Sequence, residues 1–169
     1  MSISTMIKLV RTGPGDPIFI FIFIISIVAI ATALFTEFYL GYAPCALCIY
    51  ERIPYLVLAK ISFSGFWATR FDRFWKICIC LTFVTAIGLS GYHTGVERGW
   101  LNASKTCNPE LHIPEKLSDA EAIELMNKQP IATCSVAPFK VLSFSMTEWN
   151  LLLNIALLTI MILRLKVKL

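Results

Sequence analysis

The chain has 169 residues, of which 57% are hydrophobic, and its mean hydropathy is +0.71. Soluble globular domains are less apolar than this, so the composition excludes an ordinary soluble enzyme and indicates a membrane protein. The net charge of +4 is explained by orientation in a membrane. Because no basic patch with interleaved aromatic residues is present, we do not expect nucleic-acid binding.

Four apolar stretches follow one another at about residues 18–36, 49–66, 77–92 and 147–163. A helix needs about 20 residues to cross a hydrocarbon core of about 30 Å, and each stretch approaches that length. We therefore predict an all-α membrane protein, a single domain over residues 1–169 built as a four-transmembrane-helix bundle. The first stretch follows Lys8 and Arg11 and could instead be a cleaved signal peptide, but its length favours a retained helix.

Basic residues near the helix ends predict the orientation, because an excess of Lys and Arg marks the cytoplasmic side. Eight basic residues share one side, whereas the other side holds a short segment near 37–44 and a long one over about 93–145, in which acids outnumber bases. We expect both termini inside and both loops outside. The eight residues are Lys8, Arg11, Arg70, Arg73, Lys76, Arg164, Lys166 and Lys168.

The long outer segment contains signals of local structure. Ser118 followed by Glu121 forms a capping box, which predicts a short helix near 119–127. A hydrophobic run then precedes the fourth helix, and we expect it to lie along the membrane interface with Trp149 as an anchor.

Four of the six cysteines form two pairs on the predicted outer side, where disulfides persist. Cys107 and Cys134 lie in the long loop, whereas Cys45 and Cys48 form a Cys-x-x-Cys at a predicted helix start near Ala46. At spacings of three and four, Cys45, Cys48 and Arg52 project from one side of that helix. The positive helix end and the guanidinium favour thiolate, the species that attacks disulfides and donates electrons to an oxidising cofactor.

Other interpretations of these residues remain open. The cysteine pairs could bind structural zinc with His93 and His112, although the 26 residues between Cys107 and Cys134 do not match a zinc half-site. The pairs could also be purely structural disulfides. Arg52 could be an interfacial anchor that snorkels, but an ionisable residue at the head of a membrane helix is functional by default.

Three further residues are predicted to lie outside the chemistry. Cys78 and Cys80 point about 160° apart on the third helix, so they can neither chelate one metal nor form a disulfide, and we expect them to pack. Glu51 precedes Arg52, and adjacent helical residues point about 100° apart. We expect Glu51 to face away from the side of Arg52 or to pair locally, without a catalytic role.

Three segments resemble the disulfide bond formation protein B (DsbB) family of membrane quinone reductases. They are PCALCIYER at 44–52, YHTGVERGW at 92–100 and LSFSMTEWN at 142–150, and the resemblance covers most of the chain in order. It implies a multi-pass protein of the bacterial inner membrane, with cytoplasmic termini and both cysteine pairs on the periplasmic side.

The resemblance also implies an activity, that of a thiol:quinone oxidoreductase. Such an enzyme reoxidises a periplasmic, DsbA-like thiol oxidase of the thioredoxin fold and passes the electrons to ubiquinone or menaquinone. The redox-active disulfides would be Cys45–Cys48 and Cys107–Cys134. The partner would attack Cys107, and the released Cys134 would exchange with Cys45.

The resemblance places the quinone beside the thiolate of Cys48, with Arg52 supporting the charge that develops on it. His93 matches a family histidine near the quinone, although an interfacial histidine with a local hydrogen bond is an equal alternative. The family's acidic residue after the last cysteine is missing behind Cys134, which puts local partner contacts in doubt. The sequence lacks the Gly-x-Gly-x-x-Gly fingerprint of a nucleotide-binding site. This absence favours quinone over flavin or NAD as the cofactor.

Two other functions remain open at this point. A membrane reductase of quinone epoxides is built on a similar four-helix plan. The second function is that of a non-catalytic membrane scaffold, in which the cysteines only cross-link the outer loop.

Overall fold

The computed structural model describes residues 15–68, 71–104, 107, 133–137 and 140–167. Within them the chain forms four helices, α1 Pro17–Phe38, α2 Ala46–Trp67, α3 Asp72–Glu97 and α4 Met146–Val167. A two-stranded antiparallel hairpin, β1 Lys140–Val141 and β2 Phe144–Ser145, precedes α4. Each predicted apolar stretch lies inside one of these helices, so the all-α prediction is confirmed. The short helix predicted near 119–127 lies outside the described residues.

Among the described residues, three helices are long and apolar enough to cross a membrane: α1, α3 and residues Met146–Leu165 of α4. The remaining helix, α2, has 22 residues, but each 18-residue window of it contains Glu51, Arg52 and Lys60. Glu51 and Arg52 belong to the site described below. The polar content of α2 therefore reflects that site.

The core is assembled from all four helices. Helix α2 packs between α1 and α3, and α4 packs on α3. Large apolar side chains elsewhere on the helices face outward, for example Ile24, Leu56 and Leu81, as expected where lipid replaces water. The buried cluster consists of Ile18, Phe19, Ile22, Tyr55, Leu58, Ile79, Phe83, Leu157 and Met161.

Helices α1 and α2 approach closely at Gly65. A Cβ atom at this position would lie 2.7 Å from Cε1 of the Phe19 ring, which is fully buried. Small residues permit such contact in membrane bundles, where association depends on van der Waals packing. Gly65 therefore determines how tightly these two helices pack.

The third predicted apolar stretch begins at about residue 77, which places Lys76 in the loop before the helix, and the structure contradicts this placement. Lys76 lies in α3 and is 1% exposed, with Nζ 2.8 Å from Oδ2 of Asp16 and 2.7 Å from Oδ2 of Asp72. Nζ also lies 5.7 Å from the centroid of the Phe19 ring. Because Asp72 and Lys76 are four residues apart, their ion pair forms on one helix face, and the helix extends beyond the apolar run. Arg73 likewise lies within α3.

The hydrophobic run before α4 forms the hairpin. Its two turn residues, Leu142 and Ser143, have φ angles of 52° and 71°, which suit a tight two-residue turn between twisted strands. The indole Nε1 of Trp149 donates a hydrogen bond of 3.1 Å to the carbonyl of Val141. The hairpin is thereby attached to the first turn of α4.

Candidate active site

The four paired cysteines meet at one end of the bundle, where α2 and α4 begin and α3 ends. Cys45, Cys107 and Cys134 are buried together, and Cys48 packs against them. Leu47 and Val96 complete this cluster, and they exclude solvent from the sulfur atoms. Residues that are 89 positions apart in the chain, Cys45 and Cys134, are thus neighbours.

The Cys-x-x-Cys lies at the start of α2, which begins at Ala46 as the sequence indicates. Cys45 is the N-cap, and its Sγ accepts the Cys48 N–H at 3.2 Å. The two sulfur atoms are 2.8 Å apart, so a small movement brings them to bonding distance. The hydrogen bond to Cys48, together with burial, raises the pKa of the Cys45 thiol to about 12. In the reduced pair, Cys45 is the proton donor to Cys48.

The loop pair is held against this helix start. The Cys134 N–H donates to the Cys107 carbonyl at 3.3 Å, and the Cys107 N–H donates to the Ser104 carbonyl at 2.9 Å. The Cys134 thiol contacts the side chains of both Cys107 and Cys45. Burial, together with the hydrogen bond to Cys107, raises the pKa of Cys134 to about 12. Cys134 therefore lies between the two pairs.

His93 connects the Cys45 sulfur to a buried carboxylate. It comes from α3 and is 1% exposed. Its Nε2 lies 3.5 Å from Cys45 Sγ, and its Nδ1 lies 2.8 Å from Oε1 of Glu51. The second carboxylate nearby, Glu97, lies 3.7 Å from Nε2. A proton donor and acceptor thus stands between the thiol and Glu51.

Glu97 is held by α4 and the hairpin. It accepts hydrogen bonds from the hydroxyls of Thr147 at 3.0 Å and Ser145 at 2.6 Å. The Thr147 hydroxyl also lies 3.3 Å from His93 Nδ1. These contacts fix the histidine ring from the α4 side.

A second set of polar contacts joins α2 to α4. Asn150 donates to Oε2 of Glu51 at 2.8 Å, and it also accepts a short hydrogen bond from the Tyr55 hydroxyl. Asn154 donates to the Tyr55 hydroxyl at 3.2 Å. Glu51 is therefore held from both α3 and α4.

A cavity of about 500 Å³ opens between α1, α2 and α4. Its apolar part comes mainly from α1 and α4, and its polar part includes Cys48, Glu51 and Arg52. Arg52 donates through Nη1 to Oε2 of Glu37 at 2.6 Å, while its buried Nε has no hydrogen-bond partner among the described residues. An available donor, a carboxylate and a sulfur therefore face one apolar space.

Comparisons with known proteins identify the family of the chain. A family model described as disulfide bond formation protein DsbB matches residues 15–164. The chain belongs to the DsbB family. That family has four transmembrane helices, a plan that the four helices described above fit.

Relatives of the chain include proteins named disulfide bond formation protein B and one named as an uncharacterised protein. It is 42% identical over 134 residues to an uncharacterised protein of Rickettsia prowazekii (strain Madrid E), covering 79% of this chain and 78% of the relative. It is 28% identical over 151 residues to disulfide bond formation protein B of Stutzerimonas stutzeri (strain A1501), covering 84% and 89%. The protein of the same name from Dechloromonas aromatica (strain RCB) is 24% identical over 135 residues, covering 76% and 78%.

The residues predicted from the DsbB resemblance fall into two groups in space. The four cysteines and His93 lie together at the helix start, and Arg52 lines the same cavity as Cys48. His93 is separate from that cavity's lining residues and contacts Cys45 instead, so its contact with a quinone stays a prediction. Cys78 and Cys80 lie on α3, where Cys80 packs against the main core.

The sequence predicts no catalytic role for Glu51 and a direction for its side chain, and the predicted direction is wrong. Glu51 was expected to face away from Arg52 or to pair locally, but it bonds to α3 and α4 and lines the cavity together with Arg52. A signal was present, because a carboxylate inside a membrane helix marks a functional site by default. The separation of about 100° between neighbours does not exclude two residues from lining one wide cavity.

Proposed function

We propose that this DsbB-family protein is a thiol:quinone oxidoreductase that reoxidises a periplasmic, DsbA-like thiol oxidase. The observation that carries the proposal is the position of Cys134, in contact with both Cys107 and Cys45, while Cys48 lines the cavity. The sulfur atoms thus form a series that runs from the loop to the space between the helices. Such a series suits stepwise thiol–disulfide exchange.

The first step is exchange between the partner and the loop pair. A partner thiolate attacks Cys107 in the Cys107–Cys134 disulfide, which forms a mixed disulfide and releases Cys134 as a thiolate. The second partner thiol then resolves the mixed disulfide, so the partner leaves oxidised and Cys107 is released. Two electrons and two thiol protons have now passed to the loop pair and its surroundings.

The second step transfers these electrons to the helix pair. The Cys134 thiolate attacks Cys45 of the Cys45–Cys48 disulfide and releases the Cys48 thiolate. Attack by Cys107 on the new Cys134–Cys45 bond restores the loop disulfide and releases Cys45. The contact of Cys134 with the Cys45 side chain supports this direction of attack. The helix pair is left as a dithiol beside the cavity.

The residues that line the cavity fit a quinone. The apolar side chains of α1 and α4 suit a ring and the start of an isoprenoid tail, and Arg52 would offer a ring oxygen its Nε–H, which has no partner among the described residues. A quinone bound there would supply the acceptor for two electrons and two protons. Arg52, Cys48 and Glu51 would hold it, and the surrounding apolar side chains would exclude water.

His93 and Glu51 are placed to move a proton away from Cys45. His93 accepts the thiol proton at Nε2 and releases the proton on Nδ1 to Oε1 of Glu51. The carboxylate is part of the cavity lining, so the proton arrives in the same space as the electrons from Cys48. The two residues do not exchange electrons themselves.

The proposal includes a location in the bacterial inner membrane. The end of the bundle that carries the cysteines faces the periplasm, and both termini lie in the cytoplasm. The excess of basic residues on the opposite side supports this orientation.

Partner-dependent quinone reduction by the Cys48→Ser variant tests the proposal. The full chain in lipid nanodiscs is mixed with a reduced thioredoxin-fold oxidase and a soluble quinone analogue, and quinone absorbance is followed. We expect the variant to lose turnover, whereas Cys78→Ser retains it because that sulfur lies outside the series. Turnover that survives in Cys48→Ser would exclude the electron path proposed here.

A further inference from the structure

We propose that the reduced helix pair and His93 form a binding site for a thiophilic divalent cation of the zinc class. The Sγ atoms of Cys45 and Cys48 and a ring nitrogen of His93 all lie within 4.8 Å of one another. This set is smaller than that of the zinc alternative considered from the sequence, which also required the loop cysteines and His112. The site stands on the geometry of three side chains and is independent of the quinone reaction.

The distances suit tetrahedral coordination. With Zn–S of about 2.3 Å and Zn–N of about 2.0 Å, a sulfur and a nitrogen ligand are about 3.5 Å apart, and two sulfurs are about 3.8 Å apart. The observed distance from Cys45 Sγ to His93 Nε2 is 3.5 Å. The sulfur atoms are 2.8 Å apart, so they must separate by about 1 Å, and Cys48, which is partly exposed and lines the cavity, is the side chain that would rotate.

The surroundings of the histidine match those of a metal ligand. Metal-bound histidines commonly donate their second ring N–H to a carboxylate, which fixes the tautomer and makes the coordinating nitrogen more basic. Here Nδ1 lies 2.8 Å from Oε1 of Glu51, so Nε2 is directed at the sulfur. Glu51 is itself held by Asn150 at 2.8 Å.

Charge balance also favours a dication at this position. Two thiols lose their protons to the solvent and become thiolates, and the dication then forms a neutral complex with them and the neutral imidazole. A neutral complex has a small cost of burial compared with separate ions. The cation reaches the site through the cavity, since Cys48 is among its lining residues. The fourth ligand is a water from that side or the thiol of Cys134.

The consequence is a reversible block of thiol chemistry. A disulfide has no thiolates to offer, so only the reduced helix pair binds the cation. Once bound, neither sulfur is free to exchange with Cys134 or to donate electrons. A chelator restores both functions because no covalent bond within the chain has changed.

The direct test is a titration of the chemically reduced full chain with Cd²⁺, without quinone or partner. We expect one Cd²⁺ per chain and a thiolate-to-cadmium absorption band, and we expect neither in the oxidised chain. The band should disappear in Cys48→Ser and persist in the matched variants Cys107→Ser and Cys80→Ser. A band that persists in Cys48→Ser but disappears in Cys107→Ser would assign the cation to the loop pair and overturn the proposal.

Variants of the histidine and its carboxylate test the third ligand. Outer-shell partners of a metal ligand contribute about 10–100-fold in affinity, so Glu51→Gln should weaken Cd²⁺ binding by about that factor. His93→Gln should weaken it further and move the ¹¹³Cd resonance towards that of a site with sulfur and oxygen ligands. Unchanged affinity and resonance in both variants would show a site of sulfur ligands alone, contrary to the proposal.

A protection measurement in the unmodified chain needs no substitution. Zn²⁺ should protect Cys48, the partly exposed ligand that lines the cavity, from alkylation, while Cys78 and Cys80 react at unchanged rates. Alkylation of Cys48 at the metal-free rate in saturating Zn²⁺ would overturn the proposal. Because partner and quinone are absent, this result is distinguishable from a failure of the proposed oxidoreductase activity.

Discussion

His93 Nε2 lies 3.5 Å from Cys45 Sγ, although the two residues are 48 positions apart, one on α3 and the other at the N-cap of α2. The other ring nitrogen lies 2.8 Å from Glu51, which faces the cavity. The thiol that must lose a proton during oxidation is therefore linked to a carboxylate beside the proposed electron acceptor. In the proposed reaction, this link would be the route for protons, beside the route that the cysteines form for electrons.

The carboxylate of Glu51 should matter more to turnover than that of Glu97. Proton transfer by a positioned side chain contributes about 100-fold or more to a rate, so Glu51→Gln should slow quinone reduction by about that factor. Exchange between partner and loop pair precedes this step and should be unchanged. Stopped-flow absorbance of the quinone, in H₂O and D₂O, measures the rate and its isotope effect.

Glu97→Gln is the contrasting variant for this prediction. Glu97 lies 3.7 Å from Nε2 and is bonded to two hydroxyls, so it positions the ring from the far side. We expect a smaller loss of rate and an unaltered isotope effect. Equal losses in both variants would contradict a specific path through Glu51.

The Cys134 thiol should react slowly with alkylating agents at neutral pH. Its pKa is raised to about 12, so the thiolate is a small fraction at pH 7 and grows with pH through and beyond the ordinary value of 9.0. Mass spectrometry of the reduced chain, treated with iodoacetamide from pH 7 to 10, gives the rate for each cysteine. The rate at Cys134 should still be rising at the highest pH of that series.

A short peptide that carries the Cys134 sequence is the control, because its thiol is exposed and its rate levels off near the ordinary value. If the alkylation rate at Cys134 levels off at the same pH in the folded chain as in the peptide, the prediction is wrong. Burial and the Cys107 contact would then not raise the pKa of the Cys134 thiol.

Arg52 should affect the affinity for quinone and leave that for the partner unchanged. A hydrogen bond to a charged donor is worth about 1.5–3 kcal/mol, so Arg52→Met should raise the KM for a quinone analogue by about 10-fold or more. Glu37→Gln removes an ion pair whose side chains are 20% and 24% exposed, and its effect should be small. Steady-state kinetics, with the concentration of each substrate varied in turn, gives the KM for the quinone analogue and the KM for the partner separately. An increased KM for the partner in Arg52→Met would place the guanidinium outside the quinone site.

The contact between Gly65 and Phe19 predicts a difference between two glycines. A Cβ at Gly65 would lie 2.7 Å from the Phe19 ring, whereas a Cβ at Gly88 has nothing within 4 Å. Gly65→Val should lower the free energy of unfolding by about 1–3 kcal/mol through overpacking, and Gly88→Val should be nearly neutral. Thermal unfolding in detergent measures both. Partial rescue of Gly65→Val by Phe19→Leu would locate the clash, and equal destabilisation by both glycine variants would contradict it.

Hydropathy predicted the four helices but shortened them. Helix α3 runs over Asp72–Glu97, whereas the apolar stretch covers only about 77–92. The missing turns contain Lys76 at one end and His93 and Glu97 at the other. These residues are polar and yet helical, because each finds a polar partner: Lys76 pairs with Asp72 and with Asp16 at the N-cap of α1, and His93 and Glu97 bond to side chains of other helices. A hydropathy window cannot represent such partners.

The site was predictable where its signal is local. Cys-x-x-Cys and Arg52 share one helix, and helical spacing places them on one side without knowledge of the fold. Glu51 depends on His93 and Asn150, which are 42 and 99 positions away. Single-helix geometry predicts where Glu51 points and cannot predict which helix lies there.

Trapping of the mixed disulfide tests the central claim, the order of the four cysteines, most directly. A reduced thioredoxin-fold oxidase whose second active-site cysteine is replaced by serine can attack a disulfide of the oxidised, unsubstituted chain but cannot resolve the product, so the mixed disulfide should accumulate once the released thiol is alkylated. Mass spectrometry of the proteolysed complex identifies the bonded cysteine. The account predicts a bond between the partner and Cys107; a bond to Cys45 or Cys48 would contradict it.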